Sequence, residues 1–186
     1  MRELIYSMGT SLDGFIAGHG GNIDWSVPDD ELFGFHLERV RELGGHLLGR
    51  TLYETMVYWE TADQDPQARE PTVEFARVWQ ALPKVVFSRS LQAVEGNTRL
   101  MRDGLAEEVA RLKAQDGNDL GVGGAGLAGA CARLGLIDEY QLFVHPVVLG
   151  DGTRFFPQLE HPIDLELVET RTFSSRVVYL RYRLAS

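Results

Sequence analysis

A glycine-rich stretch two-thirds along the chain is the strongest candidate for binding chemistry. It runs from Asp119 to Ala128 and predicts a short buried strand, a tight turn and a helix from about Leu127 to Leu134. The glycines at Gly123, Gly124 and Gly126 let the backbone take positive φ and let a bulky ligand come close. The unpaired amides of the helix's first turn lie at the positive end of the helix dipole. Such a strand–glycine–helix junction favours a bound phosphate.

One short motif within this stretch is not decisive. Gly121, Gly123 and Gly126 fit the pattern G-x-G-x-x-G. A dinucleotide fingerprint of that kind follows the first strand of its domain and precedes an acidic residue by about 20 positions. Here the motif comes late, and the corresponding later position falls near His145. An alternative therefore stays open, in which these glycines only allow a helix to pack closely on the sheet.

Two further predicted strand ends carry groups that bind phosphates. Gly49-Arg50-Thr51 follows the apolar strand His46–Leu48, and Ser88-Arg89-Ser90 follows the strand Lys84–Phe87. Open α/β folds bind ligands at the carboxyl ends of their strands, so we expect these two ends and the glycine-rich stretch to meet. A charged hydrogen bond from Arg89 to a phosphate contributes ~1.5–3 kcal/mol, which would favour NADP over NAD by roughly tenfold or more. The alternative is that Arg89 is a solvated turn residue.

Two carboxylates are candidates for proton transfer. Asp30 follows the run Trp25-Ser26-Val27-Pro28-Asp29 and would lie in the first turn of a helix near the sheet edge. In a partly apolar cleft its pKa would be raised, and it could bind a ring nitrogen or relay a proton. Asp13 lies in an Asp-Gly turn beside a glycine-punctuated loop. Each has a plainer alternative, since Asp30 could complement the helix dipole and Asp13 could simply form the turn.

The composition excludes several classes of function. The 186 residues carry a net charge of −9 with no run of Lys or Arg, so we expect neither nucleic acid nor an anionic membrane as a partner. The five histidines and the single cysteine, Cys131, lack metal-ligand spacing, so no metal site is expected. The chain has no signal-peptide layout and no apolar run long enough to cross a bilayer. A reducing, cytoplasmic location is therefore expected.

The order of the predicted elements favours an α/β fold. In the first two-thirds of the chain, strands such as Arg2–Met8 alternate with helices, which predicts a mostly parallel sheet with helices on both faces. A long apolar strand is expected at Asp138–Val148. The segments Leu165–Thr170 and Val177–Leu184 alternate as an antiparallel pair that closes the sheet. No long polar linker divides the chain, so residues 1–186 are expected to form a single domain.

Together these motifs make the chain similar to the dihydrofolate-reductase superfamily over nearly its whole length, which implies that superfamily's single-domain fold. The matching elements, in order, are Trp25-x-x-Pro28-x-Asp30, Gly49-Arg50-Thr51-Leu52-Tyr53-Glu54, Leu82-Pro83 ahead of Val85-Val86-Phe87-Ser88, and the Gly123-Gly124 turn. Within the superfamily the chain looks more like the bacterial riboflavin-biosynthesis reductase domain. That closer likeness is carried by Ser11-Leu12-Asp13-Gly14-Phe15-Ile16-Ala17 and His145-Pro146-Val147-Val148-Leu149-Gly150-Asp151-Gly152-Thr153.

The resemblance implies binding of NADPH and hydride transfer to 5-amino-6-(5-phosphoribosylamino)uracil or a related heterocycle. By analogy with the family, the residues that would hold the adenosine phosphates are Gly49, Arg50, Thr51, Ser88, Arg89 and Ser90. The pyrophosphate would be held by Gly123, Gly124, Gly126 and Leu127, and the nicotinamide side by Ile16 and Ala17. Asp30 would face the substrate, although Asp30 and Asp13 both stay open as the proton-handling carboxylate. Pairing through the late strands, which is frequent in the family, implies a homodimer.

Two departures from the superfamily pattern bear on the substrate. Lys84 follows Leu82-Pro83 where dihydrofolate reductases carry an arginine that grips the folate carboxylate, which argues against true folate reduction. Thr51 comes one place early in its motif, with Leu52 in the usual slot. The zinc-ligand motifs of the riboflavin-pathway deaminase domain are absent, so only reductase activity is implied. The open alternatives are a dihydrofolate-reductase-like enzyme with a different substrate and a non-catalytic nucleotide-binding module.

Overall fold

A mixed eight-stranded sheet forms the centre of the computed structural model, which describes residues 1–185. The strands of this sheet and of a small separate ribbon are β1 (Leu4–Ser11), β2 (Phe15–Ala17), β3 (Gly45–Gly49), β4 (Lys84–Phe87), β5 (Thr98–Met101), β6 (Leu120–Gly123), β7 (Glu139–His145), β8 (Thr153–Arg154), β9 (Leu165–Thr172) and β10 (Val178–Leu184). The sheet order is β5-β4-β3-β6-β1-β7-β10-β9. Neighbouring strands from β5 across to β7 are parallel, whereas β10 pairs antiparallel with β7 and β9. The predicted mixed sheet with a C-terminal antiparallel pair is confirmed.

Helices cover both faces of this sheet, as the alternation of elements predicts. They are α1 (Asp30–Arg41), α2 (Arg50–Met56), α3 (Glu70–Ala81), α4 (Leu105–Lys113) and α5 (Ala125–Arg133). Successive side chains of a strand point to opposite faces. Leu47 therefore packs in a core with residues of α4 and α5, while its neighbour Leu48 packs with residues of α1, α2 and α3. Both leucines are fully buried, so β3 is fixed between two packed layers.

Short turns of 3₁₀-helix complete the connections that border the sheet edge. They lie at His19–Gly21, Asp24–Ser26, Val57–Glu60 and Ala62–Gln64. Helix α1 follows the second of them, and Asp29 caps it by accepting a hydrogen bond of 2.8 Å from the amide of Leu32. No helix within residues 1–185 combines the length and apolar content that a membrane crossing needs.

Several segments differ from what the sequence predicts. β1 spans Leu4–Ser11 where Arg2–Met8 is predicted, so it ends three residues later. β7 ends at His145, three residues before the predicted end at Val148, because Pro146 has no amide hydrogen to donate to a strand ladder. The loop after β1 contains β2, which pairs antiparallel with β8 to form the separate ribbon. Strands of two or three residues are too short for alternation to reveal them.

Candidate functional site

The three strand ends singled out in the sequence lie side by side at one edge of the sheet. β3 lies between β4 and β6, with Gly49 opposite Phe87 and Leu48 opposite Gly123. The start of α2, the turn after β4 and the start of α5 therefore share one rim. This is the carboxyl edge of the parallel strands, where open α/β sheets bind their ligands.

Gly124 sets the shape of the glycine turn at this rim. Its φ of +90° is a conformation that residues with a side chain rarely adopt. A β-carbon on Gly124 would lie 3.4 Å from the amide nitrogen of Gly49, inside the gap between the two helix starts. Helix α5 begins directly after Gly124 without a side-chain cap. Its first-turn amides are thus left for another acceptor, as at a phosphate site.

The alternative that these glycines serve only close packing explains Gly121 and Gly123 but not Gly126. A β-carbon on Gly121 would come within 2.6 Å of the His46 ring, and one on Gly123 within 2.3 Å of Leu52. Packing against the side chains of His46 and Leu52 therefore favours glycine there. A β-carbon on Gly126 would meet nothing within 4 Å. The protein's own packing does not explain a glycine at this helical position.

A polar cluster joins the starts of α2 and of the turn after β4. Nη1 of Arg50 donates a hydrogen bond of 2.8 Å to Oγ of Ser90, and Oγ of Ser88 lies 3.4 Å from that oxygen. The Ser88 hydroxyl also accepts from the amides of Ser90 and Leu91, at 3.3 and 3.1 Å. Arg50 is in addition paired with Glu54 at 2.8 Å. A guanidinium and two hydroxyls thus stand together, a set that suits a phosphate monoester.

Arg89 points away from this cluster. Its side chain is 84% exposed and lies 2.8 Å from the carboxylate of Asp103, which is 74% exposed. An exposed ion pair of this kind is weak, so Arg89 can exchange Asp103 for an anionic ligand at little cost. Arg102 donates to the backbone oxygens of Arg89 and Leu91, at 2.7 and 3.0 Å, and so fixes the turn itself.

A cavity of about 560 Å³ opens beside the rim, within the size range of ligand pockets. Of the sequence-predicted residues at the helix starts, those that line it are Gly49, Arg50, Thr51, Gly124, Gly126 and Leu127. Ile16 and Ala17 of β2 also line it, together with Thr153 of β8. The remaining predicted cofactor residues lie outside the lining; they are Ser88, Arg89, Ser90 and Gly123.

Asp30 does not lie in a partly apolar cleft, and the expectation of a raised pKa is wrong. Its side chain is 80% exposed and pairs with Arg69, whose guanidinium nitrogens donate at 3.0 and 3.1 Å. These hydrogen bonds and the charge of Arg69 lower the pKa of Asp30. Asp30 lines neither cavity described here. Its placement agrees with the plainer alternative of an acid in the first turn of a helix.

Asp13 holds two loops together. Its carboxylate accepts from the Ser11 hydroxyl at 2.7 Å and from the amides of Leu149 and Gly150 at 3.1 and 2.7 Å. The Ser11 bond lowers the pKa of Asp13 most, and with the two amides it brings the pKa to about 2. A carboxylate this acidic does not carry a proton near neutral pH. The turn-forming alternative describes Asp13 better than proton transfer does.

Asp13→Asn is expected to lower thermal stability at neutral pH, with the difference from wild type disappearing in acid. The amide keeps one acceptor oxygen where the carboxylate has two. Because the folded pKa is about 2 and the ordinary value is 3.8, the stabilisation is complete above about pH 4 and is lost as the pH falls through about 2. Thermal unfolding followed by circular dichroism across this range measures the gap. A gap that stays constant down to pH 2 would contradict the prediction.

A second cavity, of about 420 Å³, lies between α1 and the sheet and adjoins the first. The two cavities share the lining residues Met8, Ile23, Leu52 and Thr55. A ligand ring bound in one cavity would therefore lie next to a ligand ring bound in the other. The second cavity is bordered by aromatic side chains, among them Phe33, Trp59, Phe75 and Trp79. Such walls suit a flat heterocycle.

Sequence reasoning missed several residues of these walls. His36 faces the second cavity from α1, and its position three residues after Phe33 was the available signal. Thr55 and Thr153 border the first cavity, but nothing in their spacing marks them. Among residues 1–185, no three His, Cys, Asp or Glu side chains come together as a set that could hold a metal ion.

Comparison with known sequences identifies close relatives of the chain. The family model described as the RibD C-terminal domain matches residues 2–179. Uncharacterized protein YyaP of Bacillus subtilis (strain 168) is 35% identical over 182 residues, which cover 97% of this chain and 94% of that protein.

Solved structures share the fold described above. A Shewanella sp. PV-4 protein whose name links it to riboflavin biosynthesis superposes with a TM-score of 0.78 at 23% identity, over all of both chains. Dihydrofolate reductase from Enterococcus faecalis superposes with a TM-score of 0.65 at 17% identity, over 99% of this chain and 97% of that one. The predicted dihydrofolate-reductase-like fold is confirmed.

Proposed function

This chain belongs to the RibD C-terminal domain family, and we propose that it is an NADPH-dependent reductase of the riboflavin-biosynthesis type. The proposed substrate is 5-amino-6-(5-phosphoribosylamino)uracil or a related heterocycle. Members of this family are reductase-like, so an oxidoreductase activity is the general conclusion. The cofactor and the substrate are the specific parts of the proposal.

The observation that carries the proposal is the shared rim. Two helix starts and the turn after β4 meet at the carboxyl edge of the sheet, and the two helix starts border one cavity of about 560 Å³. The gap that a β-carbon on Gly124 would fill suits a backbone-bound pyrophosphate. Arg50, Ser88 and Ser90 together offer the charge and hydroxyls that a terminal phosphate needs.

The proposal places the predicted residues in a simple order along the cavity and the turn beside it. Arg50, Thr51 and Ser90 would bind the adenosine end, with Arg89 released from Asp103. The first-turn amides of α5, at Gly126 and Leu127, would bind the pyrophosphate, and Ile16 and Ala17 would border the nicotinamide. When bound, NADPH supplies the hydride. The residues that the two cavities share would hold the heterocycle against the nicotinamide and exclude water from the contact.

Proton delivery is assigned to neither aspartate in this proposal. Asp30 lies outside both cavities and Asp13 is tied to the loop of Leu149 and Gly150. This placement gives some support to the non-catalytic alternative, a module that binds the dinucleotide without turning it over. Turnover measurements separate the two possibilities.

The test begins with calorimetric titration of the protein with NADPH and with NADH. We expect NADPH to bind at least about tenfold more tightly, because one charged phosphate contact contributes ~1.5–3 kcal/mol. Equal affinity, or binding of neither, would remove the proposal. Oxidation of NADPH on addition of 5-amino-6-(5-phosphoribosylamino)uracil tests the reaction. Tight NADPH binding without oxidation across pyrimidine, pterin and flavin-precursor substrates would favour the non-catalytic module. Turnover of dihydrofolate would favour the alternative of a dihydrofolate-reductase-like enzyme with a different substrate.

Arg50→Ala and Arg89→Ala are each expected to weaken NADPH binding by about tenfold and to change NADH binding by less than about twofold. The reason is that NADH lacks the phosphate that these guanidinium groups would bind. The same titrations measure both variants, with the exposed Arg77→Ala on α3 as the control. An equal loss for both cofactors would show that the substituted arginine is not a ligand of the extra phosphate.

We also propose that the chain forms a homodimer through β9, the outer strand of the sheet. Leu167 and Val168 on this strand are 55% and 48% exposed. An edge strand with exposed apolar side chains and unpaired backbone groups is a natural site of pairing. Light scattering should give twice the chain mass, whereas a monomeric mass at micromolar concentration would contradict this part of the proposal.

A further inference from the structure

Three small residues contribute to the floor of the second cavity. Ser7 and Gly9 of β1 and Gly121 of β6 line it from the sheet, beneath α1. A helix packed on a sheet normally buries interlocking side chains. At Gly121 the His46 ring takes up the space, whereas Ser7 and Gly9 leave part of the floor open. The space suits a flat molecule that lies on the sheet.

His36 lines this space, and His145 of another element lies next to its floor. His36 lines the cavity from α1, with its ring centre 4.4 Å from that of Phe143. His145 ends β7, is 6% exposed and packs edge-on against Trp25 with ring centres 5.4 Å apart. Its Nε2 would lie 3.5 Å from a β-carbon on Gly9, so it reaches the cavity floor. Burial and then the nearby His145 lower the pKa of His36 to about 4, and burial also lowers that of His145, so both rings are neutral at pH 7.

Both rings lack hydrogen-bond partners. Among the partly or fully buried histidines of residues 1–185, only His46 makes a ring hydrogen bond, from Nδ1 to the oxygen of Leu47 at 3.1 Å. The ring nitrogens of His36 and His145 are not among the fully buried atoms without a partner, so they keep some access to solvent. Their unused donors and acceptors are therefore available to a ligand in the cavity.

We propose that His36 and His145 bind the uncharged polar edge of the heterocyclic substrate, an inference that rests on the proposed reductase function. A neutral imidazole carries one donor and one acceptor. A lactam edge, with an N–H beside a C=O, presents the matching acceptor and donor next to each other. Two neutral rings do not suit a phosphate, which prefers cationic or backbone donors. The pair would thus orient the ring, while the charged tail of the substrate lies elsewhere.

The direct test uses the imidazole NMR signals of the wild-type protein. We expect 6-aminouracil to shift the ring ¹⁵N signals of His36 and His145 and to leave those of the exposed His19 and His161 in place. Inorganic phosphate at the same concentration should shift neither buried ring. If phosphate shifts them and 6-aminouracil does not, or if neither probe shifts them, the inference is overturned. This measurement needs no cofactor, so it succeeds or fails independently of the NADPH titrations.

A substitution separates ligand binding from a structural role. His36→Phe keeps the packing on Phe143 and removes only unpaired polar atoms, so we expect an unchanged unfolding temperature. It should raise KM for 5-amino-6-(5-phosphoribosylamino)uracil by at least about tenfold with an unchanged Kd for NADPH, and His36→Gln should recover part of the loss. A lower unfolding temperature with unchanged KM would mean that His36 is only a core residue, and the inference would fail.

Discussion

Replacing Gly126 with alanine is expected to make the protein more stable and, at the same time, to weaken NADPH binding by at least about tenfold. Gly126 lies in the first turn of α5, and a β-carbon there would meet no protein atom within 4 Å. Alanine in a helix is favoured over glycine by about 0.5–1 kcal/mol. The new methyl group would instead stand where the proposed pyrophosphate approaches the helix amides. A gain in stability combined with a loss of NADPH binding would show that glycine at this position serves ligand binding and not stability.

Gly34→Ala is the matched control for this prediction. Gly34 lies inside α1 and borders neither cavity, and a β-carbon on it would likewise meet nothing within 4 Å. The variant should gain a similar stability and bind NADPH unchanged. Chemical denaturation and calorimetry measure the two quantities for both variants. If Gly126→Ala binds NADPH as wild type does, the first turn of α5 is not the pyrophosphate site, and the rim loses its central element.

The rim could be predicted from sequence because its signals are local. Strand, glycines and helix follow one another directly at Gly123 and Gly124, and the apolar runs before Gly49 and Ser88 mark strands of a parallel sheet. The parallel arrangement then places their carboxyl ends at one edge without any knowledge of side-chain contacts. Local pattern and chain order are enough for this part of the fold and the site.

The roles of the carboxylates could not be predicted, since they depend on contacts between distant parts of the chain. Spacing places Asp30 in the first turn of α1 but does not give the rotation of the helix, which turns Phe33 and His36 to the cavity and Asp30 to Arg69. Besides the nearby Ser11 hydroxyl, the partners of Asp13 are the amides of Leu149 and Gly150, more than 130 residues away. An Asp-Gly turn looks the same in the sequence whether or not such partners exist.

Replacing Glu139 with alanine is expected to lower the free energy of unfolding by about 3–5 kcal/mol. Like the roles of Asp30 and Asp13, the role of Glu139 depends on contacts that only the folded chain shows. Its side chain is fully buried at the start of β7. Oε1 accepts from Nε of Arg181 at 2.8 Å and from Gln141 at 2.6 Å, and Oε2 accepts from Nε of Arg183 at 3.0 Å. Removing the carboxylate leaves a partly buried guanidinium and a buried amide without their acceptor.

Glu169→Gln provides the control, because Glu169 approaches the same Arg181 at 3.8 Å from the exposed outer strand. An exposed pair contributes at most about 1 kcal/mol, so urea denaturation should separate the two variants clearly. Burial alone would raise the pKa of Glu139, and the bonds from Arg181, Gln141 and Arg183 together lower it below its ordinary value of 4.5. The stabilisation is therefore present above that value and is lost as the pH falls below it, so the gap between wild type and Glu139→Ala should narrow in acid.

The network matters for function because of where it lies. β7 joins the parallel strands that carry the rim to the antiparallel pair β10 and β9, and Glu139 binds arginines of β10 across that junction. The same strand ends at His145, beside the second cavity. If Glu139→Ala lost less than about 1 kcal/mol, the junction would be held by backbone pairing and packing alone. A large loss would mean that one buried carboxylate sets how firmly the substrate side of the sheet is joined to its C-terminal strands.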